Sequence, residues 1–292
     1  MLGDICGEVR FKESLSYYTS LRIGGPADIL VAALSVEDIC HALDFASRER
    51  LPVLVLGGGN NVLVSDHGVR GLVIQLDGCL SRAQFHGEEA VAGGGMPLSS
   101  LIREAAGLNL GGLECLVGIP GTVGGALGTN AGTDEGRIRD LVSSVYFLYP
   151  DGSLGELKRD VMTTLHWAYE LPPGAVVVGC RIPFHRRPRA EIQSDLKRRM
   201  HAKRAAEPIA LASAGWIWEN PAGEQASCFI EQAGLRGRRM GGAEIPDRDT
   251  NFIVNHGSAT VADVKGLIQL TRERVHHKFG LTLNLALHLI GD

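Results

Sequence analysis

Two glycine-rich stretches carry the residues best suited to chemistry, Gly57-Gly-Gly-Asn-Asn61 and Gly118-Ile-Pro-Gly-Thr-Val-Gly-Gly125. A diphosphate needs several N–H donors at once, and side chains close to it get in the way. Glycine lets backbone amides converge into an anion-holding concavity. Gly57, Gly58, Gly59, Gly118, Gly121, Gly124 and Gly125 are the candidates for such a cradle. Asn60, Asn61, Thr122 and Asn130 add side-chain hydrogen-bonding groups for the rest of a ligand. One such loop is weak evidence, because glycine-rich turns are usually structural. Two in one chain, each following a strand, raise the odds.

The elements around these loops decide which ligand architecture is available. Ile29–Ala32 reads as a strand and 35–48 as a helix with Ser35 as N-cap and Glu37 and Asp38 in its first turn. Residues 52–56 read as a buried strand running into Gly57. Beyond the glycines, 61–64 and 72–76 are again strand. A Rossmann fingerprint needs strand, glycine turn and helix in succession, so that fold is disfavoured. From Ala90 a strand leads through the turn Gly93-Gly-Gly95 to a helix over 98–106. The segment 111–132 has too many glycines for a stable helix and no two-residue period for a strand. Residues 142–149 and 154–157 form a hairpin about Pro150-Asp-Gly152, and 175–182 is another strand.

Eight basic residues lie between Arg186 and Arg204, namely Arg186, Arg187, Arg189, Lys197, Arg198, Arg199, Lys203 and Arg204. A solvated helix linking two domains is the favoured reading, with a diphosphate-attracting face as the sharper one. The C-terminal third reads as a smaller α+β unit. Its expected elements are a helix over 225–233 closed by Gly234, a strand at 252–255, a helix over 260–279 capped by Thr260 and Asp263, and a closing strand over 281–290.

Composition sets the class. Apolar residues make up 45% of the 292-residue chain and charged residues 21%, which is ordinary for a globular protein. A net charge of -4 argues against a general nucleic-acid binder. The six cysteines are scattered, with no CxxC pair and no Cys/His cluster of zinc spacing, so reduced thiols and no metal are expected. The opening MLGDICGEVRF has early acids and no apolar run, unlike a signal peptide. No stretch of ~18 apolar residues could span a membrane. A cytoplasmic protein without membrane or nucleic-acid partners is the expectation.

Several motifs closely resemble the FAD-binding segments of the UDP-N-acetylenolpyruvoylglucosamine reductase family. They are 18–28 (YTSLRIGGPAD), 56–66 (LGGGNNVLVSD), 118–126 (GIPGTVGGA) and 130–132 (NAG). The resemblance resumes at 219–221 (ENP), 229–237 (FIEQAGLRG), 241–243 (GGA), 251–255 (NFIVN) and 275–280. It covers nearly the whole chain in order and is similar to the shorter subtype, without the inserted tyrosine loop.

The resemblance implies an α+β fold: a two-lobed FAD-binding domain of the vanillyl-alcohol-oxidase type plus a C-terminal α+β lobe. The expected boundaries are 1–188 for the first, with lobes of about 1–80 and 81–188, and 189–292 for the substrate-binding domain. It adds Tyr18, Thr19 and Arg22 to the flavin-binding set and Asn220 to the substrate side. It also implies NADPH as the hydride source and an enolpyruvyl UDP-sugar as the substrate, which is protonated after hydride transfer.

Departures gather on the substrate side. The family's proton donor is a serine, sometimes a cysteine, in Gly-Ser-x-Phe-Lys-Asn-Pro, where this chain reads Gly215-Trp-Ile-Trp-Glu-Asn-Pro221. Trp216 therefore holds the donor position, and an indole N–H cannot release a proton near neutral pH. The family's glutamate in the last strand is Ala286 here. The expected arginine around 165–170 is absent, since no Arg falls between Arg159 and Arg181. Glu219 replaces a lysine, and a two-unit charge swing beside a diphosphate is a substantial repulsion. Thr250 stands where a histidine is usual. Glu219, Glu170, Cys228 and His288 are the substitute donors in the neighbourhood, with Glu219 first. Two functions follow: the family's reductase with altered proton delivery, or an FAD-binding paralogue that has lost this activity and serves a binding, regulatory or different redox role.

Overall fold

The computed structural model describes residues 2–162, 171–208 and 210–291, which fall into two compact units. The first comprises Met1–Phe11, Asp28–Gly58 and Gly71–Ala202, and the second Lys12–Ala27, Gly59–Arg70 and Lys203–Asp292. The first unit runs on to Ala202, and two early segments join the C-terminal unit. The reason is apolar burial. Leu21, Ile23 and Leu63 lie in the same core as Ile230, Leu267 and Val275, and Asn255 Nδ2 donates to the Leu21 carbonyl at 2.9 Å.

The first unit is built on two sheets. One has four strands in the order Glu8–Ser14, Pro26–Ala33, Val69–Leu76, Val53–Val55. The last pair is parallel, with Val53 opposite Leu72. Val53–Val55 was expected to be buried, yet Val53 and Val55 are exposed, because this is an edge strand beside a cavity. The other sheet is antiparallel: Leu154–Lys158, Ser144–Leu148, Val176–Pro183, Glu89–Gly93, Ala83–His86. Helix Val36–Arg48 starts at Ser35, whose side chain accepts from Asp38 N–H, and buries Ile39, Ala42, Leu43 and Ala46. Its Asp38 carboxylate, though buried, is satisfied by the amides of Cys6, Gly7 and Leu34 at 2.8, 3.1 and 2.8 Å.

The glycine-rich segment 111–132 corrects the sequence reading, for Val123–Gly128 is a short helix. Propensity alone disfavours it. It forms because Val123, Ala126 and Leu127 are buried and Thr122 Oγ1 caps it by accepting from Gly125 N–H. The basic stretch is a helix, Arg189–Ala206, as expected. Its charges are largely consumed within the protein: Arg187 meets Glu114 at 2.9 Å and Asp195 at 3.3 Å, while Arg199 pairs with Asp195 and Glu135. That favours the solvated linking helix over the anion-attracting face.

The second unit carries an antiparallel sheet ordered Ala212–Ser213, Val254–Asn255, Ala243–Glu244, Arg239–Met240. Helix Val261–Phe279 has the expected Thr260/Asp263 capping box and stops at Gly280, whose φ of 66° suits glycine. The expected strands are shorter than read. Only Val254–Asn255 forms within 252–255. Within 281–290 only His288–Ile290 pairs in a ladder, parallel to Val62–Val64, while Leu285 makes an isolated bridge to Trp218.

Candidate functional site

Within the first unit a cavity of about 690 Å³ opens among glycines, with Gly57, Gly58, Gly94, Gly95, Gly124 and Gly125 in its wall. That size is typical of a small-molecule or cofactor site. The two glycine-rich loops singled out in the sequence do converge here. A Cβ on Gly57 would stand 2.8 Å from Thr122 Oγ1 and 3.4 Å from Gly125 Cα.

The glycines play different parts in this cradle. Val123 N–H donates to Met96 O, Gly124 N–H to Gly94 O at 2.7 Å, and Gly125 N–H to Thr122 Oγ1. Those amides are therefore spent inside the protein. Gly124 is glycine because a Cβ there would lie 2.9 Å from Gly94 O. At Gly125 the nearest atom to a Cβ is Thr122 Oγ1 at 3.4 Å, so this glycine keeps the cavity open and not the backbone apart. Among the described residues, Gly57 and Gly58 N–H have no protein acceptor and border the cavity. Gly118 and Gly121 hold left-handed turns, at φ 76° and 104°. Asn130 is buried, and its Oδ1 accepts from Arg139 N–H at 3.4 Å.

Sequence reasoning missed Gly94 and Gly95, which it read as a simple turn. The signal was present as a third glycine run. A Cβ on Gly95 would come within 2.1 Å of Leu76 O.

In the second unit, the remaining cofactor candidates sit on one folded turn. Gly59, at φ 61°, packs so closely on Tyr18 that a Cβ would fall 2.0 Å from the Tyr18 carbonyl. Ser20 Oγ donates to Gly59 O at 3.2 Å and to Ser213 O at 2.7 Å. Thr19 is buried, and its hydroxyl bonds Ile23 O at 2.8 Å, so it shapes the turn. Tyr18 OH donates to Glu13 at 3.0 Å, and Arg22, at φ 57°, is exposed. Asn61 Nδ2 donates to Ala286 O at 2.9 Å, and the Asn60 carbonyl lies 3.7 Å from where a Gly215 Cβ would stand. Asn220 Oδ1 accepts from Ala226 N–H at 3.0 Å, which starts the helix Ala226–Gln232.

The segments that carry Trp216 and Ala286 are brought together. Ala286 N–H donates to Ile217 O at 2.9 Å, Glu219 N–H to Asn284 O at 3.0 Å, and Trp218 bridges to Leu285. The buried Asn251 side chain pins this segment from behind, accepting from Trp218 N–H at 2.9 Å and donating to Trp218 O at 3.0 Å. Trp218 is 2% exposed beneath the Arg272 guanidinium, whereas Trp216 is 43% exposed. The Trp216 indole lies near the Asp249 carboxylate, whose Oδ1 accepts from Asn251 N–H at 2.9 Å. Burial holds the Asp249 proton above the ordinary carboxylate range, against the Asn251 amide, the Trp216 indole and the Lys203 charge, which act the other way.

Asp249 precedes Thr250, whose hydroxyl donates to Ser227 O at 2.7 Å. Of the substitute donors, Glu219, Cys228 and His288 are exposed. Glu170 and the expected arginine segment 165–170 lie outside the described residues. Cys180 is an inert core thiol, pushed up to about 12 by burial. All six cysteines are free, and no group of metal-holding side chains occurs among the described residues. No helix among them is long and apolar enough to cross a membrane.

In comparison with known proteins, residues 27–158 match the family described as FAD binding domain. Residues 207–290 match the C-terminal domain of UDP-N-acetylenolpyruvoylglucosamine reductase. The chain is 37% identical to UDP-N-acetylenolpyruvoylglucosamine reductase 2 of Symbiobacterium thermophilum, over 98% of this chain and 93% of that one. It is 38% identical to the reductase of Moorella thermoacetica, over 98% and 94%. The crystal structure of the Thermus caldophilus enzyme superposes with a TM-score of 0.84 at 34% identity, covering 98% of this chain and 99% of that one.

Proposed function

Because the chain belongs to the UDP-N-acetylenolpyruvoylglucosamine reductase family, we propose that it is an FAD-dependent reductase of peptidoglycan synthesis. It uses NADPH to convert UDP-N-acetylglucosamine enolpyruvate to UDP-N-acetylmuramate, in the cytoplasm. The observation that carries this is the glycine-walled cavity of the first unit, which lies largely within the stretch matching the FAD binding domain. The residues there fit a diphosphate-linked cofactor: two amides without protein acceptors, stretches of wall made of glycine, and a volume in the cofactor range.

Gly57, Gly58, Gly118, Gly121, Thr122, Gly124, Gly125 and Asn130 build or support this cradle. Tyr18, Thr19, Arg22, Gly59, Asn60 and Asn61, on the second unit, are further flavin-binding candidates, and Asn220 is the candidate on the substrate side. Bound FAD supplies hydride transfer; the protein's task is to hold it, orient the UDP-sugar and deliver a proton. At position 216 no side-chain proton is transferable near neutral pH, so protonation falls to water or a neighbouring acid. Such a step is worth ~10²–10⁴-fold, and the reductase is correspondingly slow.

A second reading, an FAD-binding paralogue that does not turn over, is favoured by one specific observation: the segment carrying Ala286 is hydrogen-bonded to the one carrying Trp216, through Ala286 N–H and the Ile217 carbonyl. NADPH oxidation measured with and without the enolpyruvyl UDP-sugar separates the two. Substrate-dependent oxidation supports the reductase, and oxidation indifferent to the sugar by a yellow protein supports the paralogue. A colourless protein that takes up no flavin overturns both.

A further inference from the structure

The wall of the first unit's cavity is of two chemical kinds. Its glycine part, with the Gly57 and Gly58 amides that lack a protein acceptor, suits a diphosphate. The other part is apolar and is formed by Val55, Leu76, Pro172, Pro173, Ala175 and Val177. Two strands assemble it. A Cβ on Gly94 would meet Val177 O at 2.7 Å and Leu76 Cδ1 at 2.9 Å, so the end of strand Val69–Leu76 and the start of strand Val176–Pro183 meet over Gly94. The turn that leads into the second strand is closed by Ala175 N–H on Pro172 O at 3.0 Å. Val55, on the edge strand, is left 37% exposed.

Three polar side chains border this cavity, Thr122, Asp77 and Gln75. Two are already engaged. Thr122 Oγ1 accepts from Gly125 N–H, and Asp77 Oδ1 accepts from Gly78 N–H at 2.8 Å and from the Ser81 hydroxyl at 3.1 Å. The half-buried Gln75 differs, for its side-chain amide makes no hydrogen bond to any described residue. A ligand that covers the apolar wall strips water from that amide, and the lost bonds must be returned by the ligand itself.

Adenine has the matching chemistry. Its faces are flat and weakly polar, and its edge sets an amino donor beside a ring-nitrogen acceptor. A glutamine amide complements that edge with one acceptor and one donor. The isoalloxazine of a flavin carries several carbonyl and ring-nitrogen groups along one edge, more than a single amide satisfies.

We infer that Gln75 is a specificity-determining residue that reads the adenine edge of the flavin dinucleotide, with the apolar wall receiving the faces of the base. This rests on the flavin-binding half of the function proposed above and adds to it the residue that selects the base.

The test is fluorescence titration of the flavin-free protein with FAD and with an FAD analogue whose purine lacks the 6-amino group. Wild type should bind the analogue roughly ten-fold more weakly than FAD, the low end of what a paired amide and base edge discriminate. Gln75→Leu should lose about the same factor toward FAD, while its affinity for the analogue stays within a few-fold of wild type, which also shows that the variant is folded. FAD affinity unchanged in Gln75→Leu overturns the inference and leaves flavin binding standing. So does a loss of equal size for FAD and the analogue, which would make Gln75 a part of the wall and not a reader of the base. A wild type that takes up neither ligand overturns the flavin reading together with this one.

Discussion

The glycine cradle of the first unit and the 215–221 segment of the second are held by different kinds of interaction, and that explains why one keeps its family pattern and the other does not. In the cradle the backbone itself is the functional surface. Gly124 faces Gly94 O and Gly57 faces Thr122, each too close for a Cβ. A side chain at 124 moves the Gly94 backbone, and one at 57 displaces the Thr122 hydroxyl. In segment 215–221 the framework is fixed by amides and carbonyls that any residue type supplies, and by Asn251 from behind. The side chain at 216 points outward, so a serine or a tryptophan fits the same backbone.

The largest expected effect tests whether the outward side chain sets the chemistry. Wild-type turnover of the enolpyruvyl UDP-sugar should fall about 10³-fold below a typical rate on the order of 10 s⁻¹. Trp216→Ser combined with Ala286→Glu and Glu219→Lys should raise kcat, measured by steady-state NADPH oxidation. A wild type already turning over at an ordinary rate would show that position 216 does not limit the reaction.

Next in size are the two adjacent glycines, which the structure assigns to opposite roles. Gly124→Val drives a β-branched side chain into the Gly94 backbone and should cost about 3 kcal/mol in stability. Gly125→Val meets only ordinary contacts and should leave the melting temperature of the flavin-free protein within a few degrees. It should still weaken FAD about 100-fold, equivalent to about 3 kcal/mol, by filling the cavity. Melting curves paired with flavin titration decide this, and the reverse assignment of the two defects would sink the distinction.

Asn251→Ala should destabilise the second unit by about 2 kcal/mol, because it orphans the Trp218 N–H and carbonyl in a buried setting. Chemical denaturation measures it; no loss would mean the framework does not depend on this side chain.

The smallest effect is Asp249→Asn. Burial raises the folded-state pKa of Asp249, so between its ordinary and raised values the folded protein holds a proton that the unfolded chain has released. Wild-type stability therefore falls as pH rises through that window. Asn carries no such penalty and keeps an acceptor. The variant should be slightly more stable at neutral pH, and the gap should close below the ordinary aspartate range of about 4. A gap that widens toward acid would contradict the burial of this carboxyl.

Much of this could be read from residue order. The two glycine loops, the Ser35 and Thr260 caps and the stop at Gly280 are local signals whose physical causes lie within a few residues. The exclusion of a Rossmann turn was equally local, since strand follows Gly57 where a helix would be needed. The substitutions at 216, 219 and 286 were visible because Asn220-Pro221 and Gly280 anchor the reading.

Distant contacts decided the rest. Helix Val123–Gly128 forms against its own propensity because three apolar residues are buried and a threonine caps it. The segments 12–27 and 59–70 join the C-terminal unit because Leu21, Ile23 and Leu63 complete that core. Which glycine guards backbone and which guards space depends on atoms tens of residues away. So does the pairing of Asn251 with Trp218, thirty-three positions apart in sequence. Short-range sterics and capping fix the elements, but the partner of a side chain is chosen by the packing of the whole unit.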